Sequence, residues 1–199
     1  GVNWSRVPIS DALVPLDTDE YGMRNKYTVT GNTIWALTTL NRLLKSSDRG
    51  HTWTALSTPI PDFGGAVINY ETIDFAFSDE QNGILASDFN LYFTTDGGTN
   101  WYEHTWSGVF RNGSISAIPG LPNAYIVVGE DNIFQRGSSY TIDSGIYWQP
   151  IEDLVTVDGN KIAMYDLYHG FAGGYSQNLW VGNHPQNRGI NHTWQFCFH

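Results

Sequence analysis

Three carboxylates and three arginines stand in the polar breaks between short apolar runs, and they define the chemistry open to this chain. The carboxylates are Asp88, Glu130 and Asp131; the arginines are Arg42, Arg111 and Arg136. Cleaving a glycosidic bond with inversion needs two carboxyl groups about 6.5–9.5 Å apart, one to protonate the leaving oxygen and one to activate water. Asp88 with Glu130 or Asp131 is the pair that the spacing offers, with Asp74 as an alternative. Three arginines gripping a substrate carboxylate suit an acidic sugar, but that chemistry also needs a tyrosine nucleophile with a carboxylate partner. No Tyr–Glu partnership is evident. Phe89, Trp106 and Phe110 fall in the same breaks, as do Asp62 and Phe63, so the set also suits a carbohydrate or peptide groove. The plain alternative is a solvated rim of loops. His184, His192, Cys197 and His199 match no zinc-ligand spacing, so no metal and no cofactor is expected.

These residues need a scaffold, and the sequence repeats one. SSDRGHTW (46–53) recurs as TTDGGTNW (94–101) and TIDSGIYW (141–148). Each copy has a hydroxyl residue (Ser46, Thr94, Thr141), then Asp48, Asp96 or Asp143, then Gly50, Gly98 or Gly145, and ends on Trp53, Trp101 or Trp148. Trp4 and Trp194 extend the ladder at steps of roughly 46–49 residues, the signature of a repeat architecture. A catalytic residue needs no copy in every repeat, whereas a fold determinant does. The aspartate is expected to accept N–H groups across a turn. The glycine supplies a positive φ, and the tryptophan buries a large apolar surface.

Between the copies lie short alternating or β-branched runs. ETIDFAF, ILAS, LYFTT and NWYEHTW form one unit. KYTVT, TIWALT, RLLKSS and TWTAL form the unit before it, and SISAI, AYIVVG, GSSYTI and YWQPI the unit after. KIAMYD, GFAGG, NLWVG and TWQFCF make the fourth. No amphipathic helix stands out. Four antiparallel strands per repeat predict an all-β fold, a β-propeller segment of about four blades. Residues 1–199 form one such segment, with an outer strand at 1–9 and blades near 26–57, 70–106, 114–152 and 160–199. The opening strand has no vacant blade to fill, which predicts an open arc of a larger propeller. A net charge of −10 argues against nucleic acid, and there is no apolar run long enough to span a membrane. A single cysteine excludes an intramolecular disulfide framework.

The octapeptide resembles the Asp-box, or BNR, repeat. Such boxes occur in sialidases, xyloglucanases, sortilins and photosystem II stability/assembly factor-like proteins. IDFAFSDEQNGILAS (73–87), IAMYDLYHGFAGG (162–174) and LYFTTDGGTNW together look like the assembly-factor-like and sortilin-like propellers of secreted bacterial proteins. The likeness covers residues 1 to about 175; the last box departs from it, with Gly189 and Asn191 where the aspartate and glycine belong. The resemblance implies a propeller whose ligand face lies opposite the boxes. On that face it sets Arg42, Asp88, Phe89, Trp106, Arg111, Glu130, Asp131 and Arg136. The expected function is a non-catalytic binding or assembly module of a secreted or cell-envelope protein, with a protein or polysaccharide partner. The rival class is an exported glycoside hydrolase.

Overall fold

The computed structural model describes residues 3, 16–61, 72–153, 157–166, 169–176 and 190–195. The expected outer strand at 1–9, the pair Asp62 and Phe63, and the NLWVG run lie outside the described residues, as do His184, Cys197 and His199. The chain divides into two compact units, Gly1–Ile68 and Asn69–His199.

The first unit is one antiparallel sheet in the order β1 (Gly22–Thr30), β2 (Thr33–Thr38), β3 (Arg42–Ser46), β4 (Thr54–Ser57). Alternation along TIWALT turns Trp35 and Leu37 inward, where both are fully buried with Leu43.

The second unit holds three sheets. One is the meander β5 (Ile73–Phe77), β6 (Gly83–Ser87), β7 (Asn90–Thr94), β8 (Tyr102–His104). The next is β10 (Asn112–Ala117), β11 (Tyr125–Glu130), β12 (Arg136–Thr141), β13 (Tyr147–Asp153), with β9 (Ser107–Gly108) added in parallel at its outer edge. The last is β14 (Val157–Met164), β15 (His169–Ser176), β16 (Ile190–Gln195). The expected order of that last sheet is corrected. The run ending in TWQ pairs directly with β15, from His169↔Gln195 to Gly174↔Ile190, and is not a fourth, outer strand.

Strand β10 packs against β5 on one side and β14 on the other. The first interface buries Ala76, Ile84, Leu91, Phe110, Ile115, Val127 and Trp148. The second buries Ile118, Ile126, Val128, Ile162 and Ala172. Neighbouring strands of different sheets also share hydrogen bonds. Ile115 N–H donates to Asp74 Oδ2 at 3.0 Å, Ile162 N–H to Ser114 Oγ at 3.2 Å, and Met164 N–H to Ser116 Oγ at 3.1 Å. Each bond satisfies an N–H on the open edge of a first strand, where no ladder partner exists.

The three octapeptides make one turn three times. The hydroxyl of Ser46, Thr94 or Thr141 donates to Oδ1 of its aspartate at 2.8, 2.9 and 2.6 Å. The same oxygen accepts the glycine N–H at 2.7, 3.0 and 3.1 Å. Oδ1 in turn accepts the N–H four residues on, from Thr52, Asn100 or Tyr147. The tryptophan Nε1–H closes the turn on the glycine carbonyl, at 3.0 Å in all three. Gly50, Gly98 and Gly145 sit at φ of 89°, 94° and 93°, where a side chain is strained. Trp148 is fully buried, while Trp53 and Trp101 are half-buried.

After β8 the chain crosses from the outer edge of one sheet to the first strand of the next. Val109 N–H donates to Trp148 O at 3.0 Å, and the Phe110 ring lies 5.0 Å from that of Trp148. A Cβ on Gly108, at φ 82°, would stand 2.1 Å from Trp148 O.

Two changes test this frame by thermal unfolding. Gly108→Ala meets backbone and a forbidden φ together, and is expected to destabilise the second unit by roughly 2–4 kcal/mol. Asp96→Ala removes an acceptor from donors that water can partly reach, and is expected to cost about 1–2 kcal/mol.

Candidate functional site

In the first unit the rim arginine is already engaged. Arg42 Nε donates to Glu20 Oε1 at 2.9 Å, and Nη2 reaches Oε2 of the same carboxylate. Asp17 lies 3.9 Å from Nη1. The Glu20 side chain is fully buried, and it also accepts the Thr38 hydroxyl and the Asp17 N–H. The bond from Arg42 holds the Glu20 carboxyl down at about 2, against burial, which pushes it up. The same pairing raises Arg42. Glu20 pins the segment before β1 to the turn between β2 and β3. Reading the sequence for rim residues missed it, because the pair is 22 residues apart and only the folded sheet brings it together.

The other seven residues of the expected ligand set lie in the second unit. Asp88 and Phe89 form the tight two-residue turn between β6 and β7, both exposed, with Asp88 at φ 53°. Trp106 Nε1–H donates to Phe89 O at 3.0 Å, and its ring lies 5.5 Å from that of Phe110. Arg111 is corrected: expected on the surface, it is 1% exposed. Its Nε donates to Ser139 Oγ at 3.3 Å and its Nη1 to Gln135 O at 2.8 Å. Its side chain reaches β12 and the turn before it, where Ser139 Oγ and Gln135 O accept its donors.

The turn between β11 and β12 is closed by its own carboxylate. Asp131 Oδ1 accepts the N–H of Ile133 at 3.0 Å and of Gln135 at 2.9 Å. Phe134 N–H bonds Asp131 O, and Arg111 ties down Gln135 O from beneath. At the base of the turn Glu130 and Arg136 pair across the strands, with Nε–Oε1 at 2.6 Å. Held this way, the turn exposes Ile133 by 65% and Phe134 by 82%, with Phe134 at φ 63°. A non-glycine residue in that region costs about 1–3 kcal/mol and persists only where its surroundings impose it. Neither residue was singled out in the sequence, although two adjacent large apolar residues inside a polar break were the available signal.

These bonds bear on the chemistry. Glu130 faces an arginine, Asp131 faces backbone donors of its own loop, and Asp74 lies buried between Ile115 N–H and Lys161 Nζ, the latter at 3.6 Å. A general acid or base must reach a substrate proton, and each of these three carboxylates is turned to an internal partner. Among the described residues no group of three or more His, Cys, Asp or Glu is placed to hold a metal ion, and no helix is long and apolar enough to cross a membrane.

No protein-family model matches the sequence, and no curated protein does. Among solved structures the fold is similar to YCF48 bound to D1 peptide, with a TM-score of 0.50 and 13% identity, over 82% of this chain and 49% of that one. YCF48 from Cyanidioschyzon merolae aligns at a TM-score of 0.45 and 12% identity, over 81% and 56%. A GH74 xyloglucanase from Xanthomonas campestris aligns at 0.49 and 14%, over 84% and 28%. These neighbours are β-propellers, and the fold of this chain is of that kind. The chain spans about half the length of the YCF48 structures it matches.

The buried Glu20–Arg42 pair makes the first unit acid-sensitive. A carboxyl depressed to about 2 contributes stability above its unfolded value near 4.5 and loses it as the pH falls toward 2. The contribution is on the order of 2–3 kcal/mol. Hydrogen exchange of β2 and β3 amides across that pH range is expected to show the loss. Glu20→Gln is expected to flatten it, leaving the smaller part due to Asp48, which its bond from Thr52 N–H also holds at about 2.

Proposed function

We propose that this chain is a non-catalytic binding or assembly module of a secreted or cell-envelope protein, and that the second unit takes a protein partner on the rim away from its octapeptide turns. The observation behind this reading is the β11–β12 turn. Its charged residues are engaged internally, Glu130 with Arg136 and Asp131 with backbone N–H groups, while Ile133 and Phe134 are held outward on a bonded, strained loop. An exposed aromatic on a rigid support loses little entropy on docking, which is what a protein hot spot requires. Phe89, braced by Trp106 in the link after β8, adds apolar surface of the same character. Supporting this, the YCF48 structure with the similar fold is one bound to a D1 peptide. A polysaccharide would want open hydrogen-bonding groups beside its aromatics, and the carboxylates of this turn are engaged.

A displayed peptide library selected on the purified chain tests the proposal. Recovered peptides are expected to bind the Ile133→Ser, Phe134→Ser double variant at least about tenfold more weakly, a loss of one hot-spot contact. Binders indifferent to that variant sink the reading. So does turnover of xyloglucan or a sialoside that disappears in Asp88→Asn or Glu130→Gln.

A further inference from the structure

The octapeptide turn occurs three times with one bonding scheme, so what differs between copies is not demanded by the turn. Its second, sixth and seventh positions are Ser47, His51 and Thr52 in the first copy and Thr95, Thr99 and Asn100 in the second. In the third they are Ile142, Ile146 and Tyr147, exposed by 63%, 50% and 52%. The exchange at the seventh position alters the aspartate as well. Thr52 Oγ1 donates to Asp48 Oδ2, and Asn100 Nδ2 to Asp96 Oδ2, both at 2.7 Å. Tyr147 offers only its N–H, and that goes to Oδ1, together with Ile146 N–H and the Thr141 hydroxyl. Asp143 Oδ2 is left with no hydrogen bond among the described residues. Asp143 is accordingly exposed, where Asp48 and Asp96 are half-buried.

One neighbour titrates. His104 on β8 lies in the field of Asp143, stacked 4.1 Å from the Phe93 ring, with its Nε2 buried and unpartnered. Burial pushes its pKa down from the usual value, and the charge of Asp143 pulls it the other way.

A free carboxylate oxygen in a turn that also exposes two isoleucines and a tyrosine complements one kind of side chain. An arginine or lysine lays its methylene stem on apolar surface and its charged head on an anion. The net charge of −10 draws basic partners to the chain. We infer that the third octapeptide turn is a docking site for an arginine or lysine of a partner protein, carried in a segment with apolar residues on either side. This site is separate from the Ile133–Phe134 turn and stands or falls without it.

The test is a titration of the isotopically labelled chain, near neutral pH, with the peptide Ac-Leu-Arg-Leu-NH2 and with Ac-Leu-Glu-Leu-NH2. The arginine peptide is expected to shift amides of 142–148 and to saturate in the millimolar range, as a single-side-chain contact does; the glutamate peptide is expected to leave them in place. The triple variant I142T/I146T/Y147N carries the residues of the second copy, so its turn keeps its bonds. It is expected to bind at least about tenfold more weakly, and Y147N alone to weaken binding by supplying Asp143 Oδ2 with a donor. Equal binding by the triple variant overturns the inference. So do equal binding of the two peptides, shifts confined to 131–136, or no shift up to about 10 mM.

Discussion

The open edge of each sheet's first strand is the constraint that the second unit is built around. A meander of four strands satisfies its inner ladders but leaves one row of N–H groups on its first strand without a partner. Asp74, Ser114 and Ser116 answer this by accepting N–H groups of the next sheet's first strand. Because the acceptors are side chains, the sheets need not continue one ladder and are free to turn relative to one another. The apolar layers between them then close around Phe110, Ile115 and Trp148 on one side and Ile126, Val128 and Ile162 on the other.

The same requirement explains why the polar residues with catalytic credentials do other work. Asp74 is buried and caps Ile115, and Lys161 reaches it from β14, two sheets on. Arg111 is buried with its donors spent on Ser139 Oγ and Gln135 O. A carboxylate or guanidinium buried in this way must be paired, since leaving it unpartnered costs several kcal/mol. Large apolar side chains stand exposed at two turns of this unit, Ile133 and Phe134 at one, Ile142, Ile146 and Tyr147 at the other.

Repetition gives the octapeptide turns a further property. Their bonding scheme needs the hydroxyl, the aspartate, the glycine and the tryptophan, and is indifferent to the second and sixth positions. Those positions vary without cost to the fold, and the seventh varies at the cost of one bond to the aspartate. The third copy accepts that cost and exposes its carboxylate; the first two keep it covered.

The sequence by itself determined the all-β class, the strand runs of the first three sheets and the role of the octapeptide. Those depend on contacts within about ten residues, and such contacts are written as residue type at fixed spacing. Asp96 bonding to Asn100, or Trp101 to Gly98, is local in this sense. The tertiary structure alone decided which rim residues are available. Arg42 meets Glu20 across 22 residues, Arg111 meets Ser139 across 28, and Asp74 meets Ile115 across 41. A side chain's type is the same whether it faces solvent or a partner that far along the chain. Only the fold, strand beside strand and sheet against sheet, decides which.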